Sequence, residues 1–194
     1  NRQSRFRDGS PGHPADNSSM IRLVLNDEHL GAVLQEAART CRHRLFIATA
    51  DLKDVHVPIG GGRAVSFLEL MEQLAERGAE VHVLHSGVPS GPLRERLAKR
   101  PLPDGMILRR CPRVHAKAVI VDGRRMYLGS ANLTGAGLGA KSARRRNFEA
   151  GVWTDDVSLI DPVLDMLQEV WTGGACADCG RREHCPEPLE EPAL

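Results

Sequence analysis

Residues 113–134 read RVHAKAVIVDGRRMYLGSANLT, with Asp122 and Gly123 between two apolar runs. Asp-Gly is a strong hairpin signal, because the tight turn joining two antiparallel strands needs left-handed backbone that these residues tolerate. Residues 114–121 and 125–128 are therefore expected to be neighbouring antiparallel strands. A short run at 106–110 reads as the strand before them. RLFIATA (44–50), AEVHVLHSG (79–87) and RNFEAGVWT (146–154) read as further strands. Leu30, Val33, Leu34, Ala37 and Cys41 recur at helical spacing, which predicts a helix over 27–41. A second is expected over 64–77, with Phe67, Leu68, Leu70, Met71 and Leu74 inward and Gly78 as its stop. A short helix follows at 92–99. Ile160, Val163, Leu164, Leu167, Val170 and Trp171 define a closing helix ended by Gly173 and Gly174. DLKDVHVPIGGG (51–62) reads as a loop broken by its glycines. Strands alternating with helices give an α/β class, a mixed β-sheet flanked by helices.

The 194 residues suffice for one domain with a real core. Residues 1–20 are polar and rich in Gly, Pro and Ser, and residues 1–25 read as a disordered leader with Met20 as the natural start. They lack the apolar centre of a secretory signal. The domain is expected over 26–172, with a cysteine-bearing tail over 173–194. The formal net charge is +1, so affinity for nucleic acid or membrane must come from local features. No apolar run approaches the roughly 20 residues of a membrane span.

Side chains alternate along a strand. Val114, Ala116, Ala118 and Ile120 fall on one face of the first hairpin strand, and His115 and Lys117 together on the other. An imidazole beside a fixed ammonium suits attack on an anionic centre. The histidine can be a nucleophile, and the cation can stabilise charge in the transition state. Ser130 and Asn132 add neutral donors, and Gly129 lets backbone come close. A phosphoryl group is the natural guest. A lone His-x-Lys in a strand is usually structural. His-x-Lys, four residues, Asp, six residues, Gly-Ser-x-Asn is far more specific.

HAKAVIVD followed by GSAN resembles the signature of the phospholipase D superfamily, and NFEAGV (147–152) is similar to the acidic strand that follows it there. The order of elements from about residue 26 to 171 is compatible, so the resemblance covers most of the chain. It implies an α/β/α sandwich and a phosphodiesterase that needs no catalytic metal. It implies that His115 forms a phosphohistidine, that Lys117 and Asn132 hold the phosphate with Ser130 in the same pocket, and that Glu149 orients the imidazole. Asp122 completes the signature among the catalytic set, but it ends its strand at a turn and reads as structural. Enzymes of this family use two histidines, and the chain has one copy of the signature. A homodimer would supply the second.

Lys141, Arg144, Arg145 and Arg146 form a basic run between Asn132 and Glu149. Such runs are commonly solvated loops, but beside a phosphodiester site this one could track a nucleic-acid backbone. A lipid substrate would favour apolar loops, and GSANLTGAGLGAK offers only Leu133 and Leu138. Small single-signature members of the family are often nucleases. A nuclease acting on DNA is therefore expected. The alternatives are a phospholipid hydrolase or phosphatidyltransferase, and a non-catalytic nucleic-acid-binding subunit of a DNA-processing or phage-defence complex.

Three of the five cysteines, Cys176, Cys179 and Cys185, crowd into ten residues. Thiolates at such spacing hold zinc or iron–sulfur clusters. CADCGRREHCPEP resembles the C-terminal triplet of iron-staple nuclease domains, which holds a four-iron cluster with one distant upstream cysteine. That implies a 4Fe-4S cluster, with structural zinc as the alternative. The fourth ligand is expected to be Cys111. It lies four residues before His115, at the end to which a closing helix of about 12 residues, about 18 Å, returns the tail. Cys41 lies on the apolar face of its helix at the far end, and His184 competes for space with Cys185. Thiolate ligation implies a reduced compartment, the cytoplasm.

Overall fold

The computed structural model describes residues 19–185. The chain runs β1 (Ile21–Leu25), a π-helical segment (Leu30–Gln35) continued by α1 (Glu36–Thr40), β2 (Arg44–Thr49), β3 (His56–Gly60), β4 (Arg63–Ser66), α2 (Phe67–Glu76) and β5 (Glu80–His85). It continues through α3 (Gly91–Lys99), β6 (Met106–Arg110), β7 (Ala118–Val121), β8 (Arg125–Gly129), β9 (Ala150–Thr154) and α4 (Val157–Trp171). Two 3-10 turns, Gly174–Cys176 and Arg182–His184, follow.

The main sheet has the order β1-β9-β8-β7-β2-β5-β6. β2, β5 and β6 are parallel, while β7, β8, β9 and β1 join antiparallel. This is the expected mixed sheet flanked by helices. Leu45, Ile47, Val119 and Val121 pack on one side with Val33, Leu34, Phe67, Met71 and Leu74. Phe46, Ala48, Ala118 and Ile120 pack on the other with Ile160, Leu167 and Trp171 of α4. Burial of one such side chain contributes about 1.5–3 kcal/mol. A one-residue slip of β7 would exchange its two faces, so the register that places His115 and Lys117 is firmly set.

Several boundaries differ from the sequence reading. The loop at 51–62 contains β3, which pairs with β4 across glycines 60, 61 and 62, all at positive φ. Those glycines turn a hairpin instead of breaking structure. The expected helix at 64–77 accordingly starts later, capped by Ser66 Oγ accepting from Glu69 N at 3.2 Å. The helix expected over 27–41 runs from Glu28 to Thr40 and is π-helical over Leu30–Gln35.

The boundary of the leader at residue 25 is corrected, because β1 pairs along β9 as an edge strand. Four of its five residues, Ile21, Leu23, Val24 and Leu25, are apolar, although only Val24 is buried. Residues 1–18 of the expected leader and 186–194 of the expected tail lie outside the described residues. Among the described residues, no helix is long and apolar enough to cross a membrane.

The two layers are unequal. α4 covers the middle of its face, while Leu23, Val152 and Leu128 form a cross-strand row beyond it. Leu23 is 60% exposed.

Candidate active site

The ends of β2, β5, β6 and β8 and the beginnings of β7 and β9 meet at one edge of the sheet, as their pairing requires. The ladder of β7 starts at Ala118, later than the expected 114. His115 and Lys117 therefore stand just before it, where Gly129 N still donates to Lys117 O at 3.1 Å. His115 is exposed, while Lys117 is only 8% exposed. Lys117 Nζ donates to His115 O at 2.7 Å and lies 3.1 Å and 3.3 Å from the two ring nitrogens. Desolvation lowers the Lys117 pKa, and the Glu149 charge opposes that shift. A sheltered ammonium is costly unless its donors are met, and a phosphate beside His115 would meet them.

Glu149 precedes β9 and is held from several sides. Ser130 Oγ donates to its Oε2, and Asn147 Nδ2 donates to its Oε1 at 3.0 Å. Its backbone N donates to Asn26 Oδ1 at 3.2 Å, and Asn26 N donates back to its carbonyl at 2.9 Å. Among the described residues no hydrogen bond joins Glu149 to His115.

Asn132 accepts at Oδ1 from Ala50 N at 3.1 Å, Asp51 N at 3.2 Å and Thr49 Oγ1 at 3.4 Å. Its oxygen thus fastens the loop after β2, and only its NH2 is left to face an anion. Gly129 is required by packing within the protein. A Cβ there would lie 2.7 Å from Ala150 O and collide with the Tyr127 hydroxyl. Burial pushes the Tyr127 phenol up to about 12, so it stays neutral beneath the site. Tyr127, Asn26, Thr49 and Asn147 escaped the sequence reading as site supports. Only Asn147, within NFEAGV, stood in a motif that could have signalled it.

Asp122 is removed from the catalytic set. It sits at the opposite end of the sheet, at φ 53°, and accepts from Arg42 N at 3.0 Å, His43 N at 2.8 Å and Arg44 N at 2.8 Å. Burial alone would raise its pKa, but the three backbone donors outweigh this and lower it. The carboxylate ties the hairpin to the start of β2.

Lys141, Arg144 and Arg145 are exposed. Arg146 differs from the expected role, because it forms an ion pair with Asp27 at 2.7 Å. Its hydrogen bond lowers the Asp27 pKa. Phe148, beside Glu149, is 95% exposed.

Cys111, Cys176, Cys179 and Cys185 line one cavity of about 300 Å³, and His115 lines it as well. Burial raises the Cys185 thiol pKa, and repulsion from Cys111, Cys176 and Cys179 adds to that shift. Among the described residues, no three His, Cys, Asp or Glu side chains already stand as a closed group able to hold a metal ion. Cys41 is buried at the Asp122 end, its Sγ 3.9 Å from Asp122 Oδ1. Burial, reinforced by Asp122, pushes its thiol up to about 11. His184 is ion-paired with Glu183 at 3.1 Å and does not line the cavity.

A family model described as cardiolipin synthase, PLD-like domain, matches residues 32–171. Among solved structures, NucT from Helicobacter pylori is similar at 17% identity, with a TM-score of 0.59 over 78% of this chain and 95% of that one. The phospholipase D family member Nuc from Salmonella typhimurium is similar at 16% identity, with a TM-score of 0.59 over 80% and 95%. Phosphatidylserine synthase from Haemophilus influenzae follows at 16% identity and TM-score 0.55, over 80% of this chain and 39% of that one. The archaeal chromatin protein TrmBL2 is similar at 14% identity and TM-score 0.52, over 82% and 54%. A comparison with curated proteins returns no match.

Proposed function

The chain belongs to the phospholipase D-like family, and from that premise we propose that it is a metal-independent phosphodiesterase that hydrolyses nucleic acid, DNA above all, in a homodimeric active site. The observation that carries this is the exposed His115 backed by the sheltered ammonium of Lys117. A ring nitrogen of His115 attacks phosphorus, forming a P–N bond while the P–O bond to the leaving group breaks. The leaving oxygen takes a proton from His115 of the partner subunit. Water then attacks the phosphohistidine, giving its proton back to that same imidazole and releasing the phosphate product. Lys117 and the Asn132 NH2 bind the phosphoryl oxygens and stabilise the charge that develops on them, and Ser130 joins them when its hydroxyl turns from Glu149 to the phosphate. Glu149, held in place by Ser130 and Asn147 and not bonded to its own histidine, orients the imidazole of the other subunit through its remaining lone pairs.

The bare part of the sheet supports dimer formation. Leu23, Val152 and Leu128 present an apolar row next to the active edge, and Leu25 is exposed beside them. Two copies packed there would bury that surface and bring their active edges together.

For nucleic acid as substrate, the support is local. Arg144 and Arg145 are exposed, and Phe148 offers an aromatic face within a few residues. A basic track with a stacking ring is how proteins hold single strands. The neighbour TrmBL2 is described by a novel mode of DNA binding. The second reading, phospholipid, is favoured by the description of the family model and by the phosphatidylserine synthase neighbour.

The test is incubation of the full chain with labelled DNA, RNA and phospholipid vesicles in EDTA. DNA cleavage that disappears in His115→Ala supports the proposal. Undiminished cleavage in that variant overturns the mechanism, and lipid turnover without DNA cleavage overturns the substrate.

A further inference from the structure

We propose that Cys111, Cys176, Cys179 and Cys185 together hold one metal centre, an iron–sulfur cluster of the four-iron class, directly behind His115. This does not depend on the substrate reading above.

Two distant stretches of chain are independently fixed at this cavity. Cys111 follows β6, and its N donates to His85 O at 2.8 Å, which holds it to the ends of β5 and β6. The tail is delivered by α4, whose last residue is locked in place. Trp171 stacks on His82 at 4.4 Å, and the Arg109 guanidinium lies 4.7 Å over it and donates to the Trp171 carbonyl. Two turns then set the spacing of the tail thiols, with Cys176 N donating to Gly173 O at 2.9 Å and Cys179 N donating to Cys176 O at 3.2 Å.

The cavity has room for a centre of several atoms. The four cysteines line about 300 Å³, more than one zinc ion with four thiolates at about 2.3 Å requires. Four thiolates around a centre of charge +2 leave a net negative charge, and Arg113 and Arg181 line the same cavity to offset it. Val114, Met166 and Val170 give the cavity an apolar wall.

Such a centre would add to the ties of the tail. Cys176 is only partly buried against the core beside α4. Arg113 Nη1 donates to Ala175 O across 3.5 Å, and a bond that long ties the tail only weakly to the His115 segment. Metal binding takes the cysteines as thiolates, releases their protons, and supplies folding free energy where a core cannot. The centre would therefore fasten the tail against the turn from Cys111 to His115 and keep the nucleophile in position.

The test is anaerobic purification of the full chain, with iron, acid-labile sulfide and zinc measured per chain alongside the visible spectrum. The expected result is a coloured protein with about four iron and four sulfide. Cys111→Ala and Cys185→Ala should lose the colour, and proteases should then cut after Thr172. Cys41→Ala and His115→Ala should keep full iron and sulfide. Because His115→Ala abolishes the proposed hydrolysis but not the cluster, failure of one reading is separable from failure of the other. Stoichiometric zinc in a colourless protein overturns the cluster. A metal-free protein, including one with these cysteines in disulfides, overturns the centre altogether. Retention of the full metal content by Cys111→Ala overturns the ligand set.

Discussion

Asp122→Asn separates a structural role from a catalytic one within the family signature. Asn tolerates the left-handed backbone at φ 53°, so the substitution tests the charge and not the turn. In the folded protein Oδ1 takes His43 N and Arg44 N, both at 2.8 Å, and Oδ2 takes Arg42 N at 3.0 Å. A hydrogen bond to a charged group contributes about 1.5–3 kcal/mol, and a neutral one about half of that. Asn keeps one acceptor for the first two donors but sets an NH2 against Arg42 N. Arg42 and His43 are exposed, so water replaces part of what is lost. The net cost should be about 1.5–3 kcal/mol, or a fall in Tm of about 3–12 °C for a domain of this size. The pH dependence has a definite sign. The Asp122 pKa is lowered in the folded state, so its contribution is present above the unfolded value of about 3.9 and is lost as pH falls through the folded value. Wild type and variant should therefore converge in stability in strong acid. The assay is denaturant unfolding at neutral and acid pH, at fixed protomer concentration, with kcat measured below the transition. Unchanged stability would refute the anchoring role. Normal stability with lost turnover would put Asp122 back among the catalytic residues.

Four other outcomes are expected. Gly129→Ala places a Cβ 2.7 Å from a backbone oxygen, and overpacking of this kind should cost about 1–3 kcal/mol; a thermal melt equal to wild type would contradict the close packing of Tyr127 under the site. Replacing Arg144 and Arg145 with Gln should make log K for single-stranded DNA less steep in log salt by about 1.4, about 0.7 for each phosphate no longer neutralised, and an identical slope would show that neither touches the backbone. Phe148→Ala should weaken single-strand binding by about 1–3 kcal/mol, measured by fluorescence titration; equal affinity would show that no base stacks there. Leu23→Asp should give a monomer in sedimentation velocity and remove cleavage with it, whereas an intact, active dimer would place the interface elsewhere.

Local patterns carried much of the architecture. The Asp122-Gly123 turn, the apolar strand runs and the helical spacing before Cys41 depend on nearest neighbours and on one face being buried, and both are visible in sequence. The same alternation put His115 and Lys117 on one side of their strand, where the structure has them adjacent. What the sequence could not decide was which polar groups find one another across long stretches of chain. Asp122 bonds the start of β2, Asn132 bonds the loop after β2, and Glu149 is gripped by Asn26. Residue type alone allows each of them to be catalytic, because a carboxylate or an amide meets a ligand and a backbone N–H by the same hydrogen bond. Edge strand β1, IRLVL, carried an apolar run, but its place beside β9 rests on backbone bonds that join residues about 130 positions apart and that no local pattern specifies. The cysteines mark both limits. Strand and helix lengths pointed the tail toward Cys111 and away from Cys41, but the contacts that hold the end of α4 there, Trp171 against His82 and Arg109, join residues far apart in the chain and are decided by the tertiary structure.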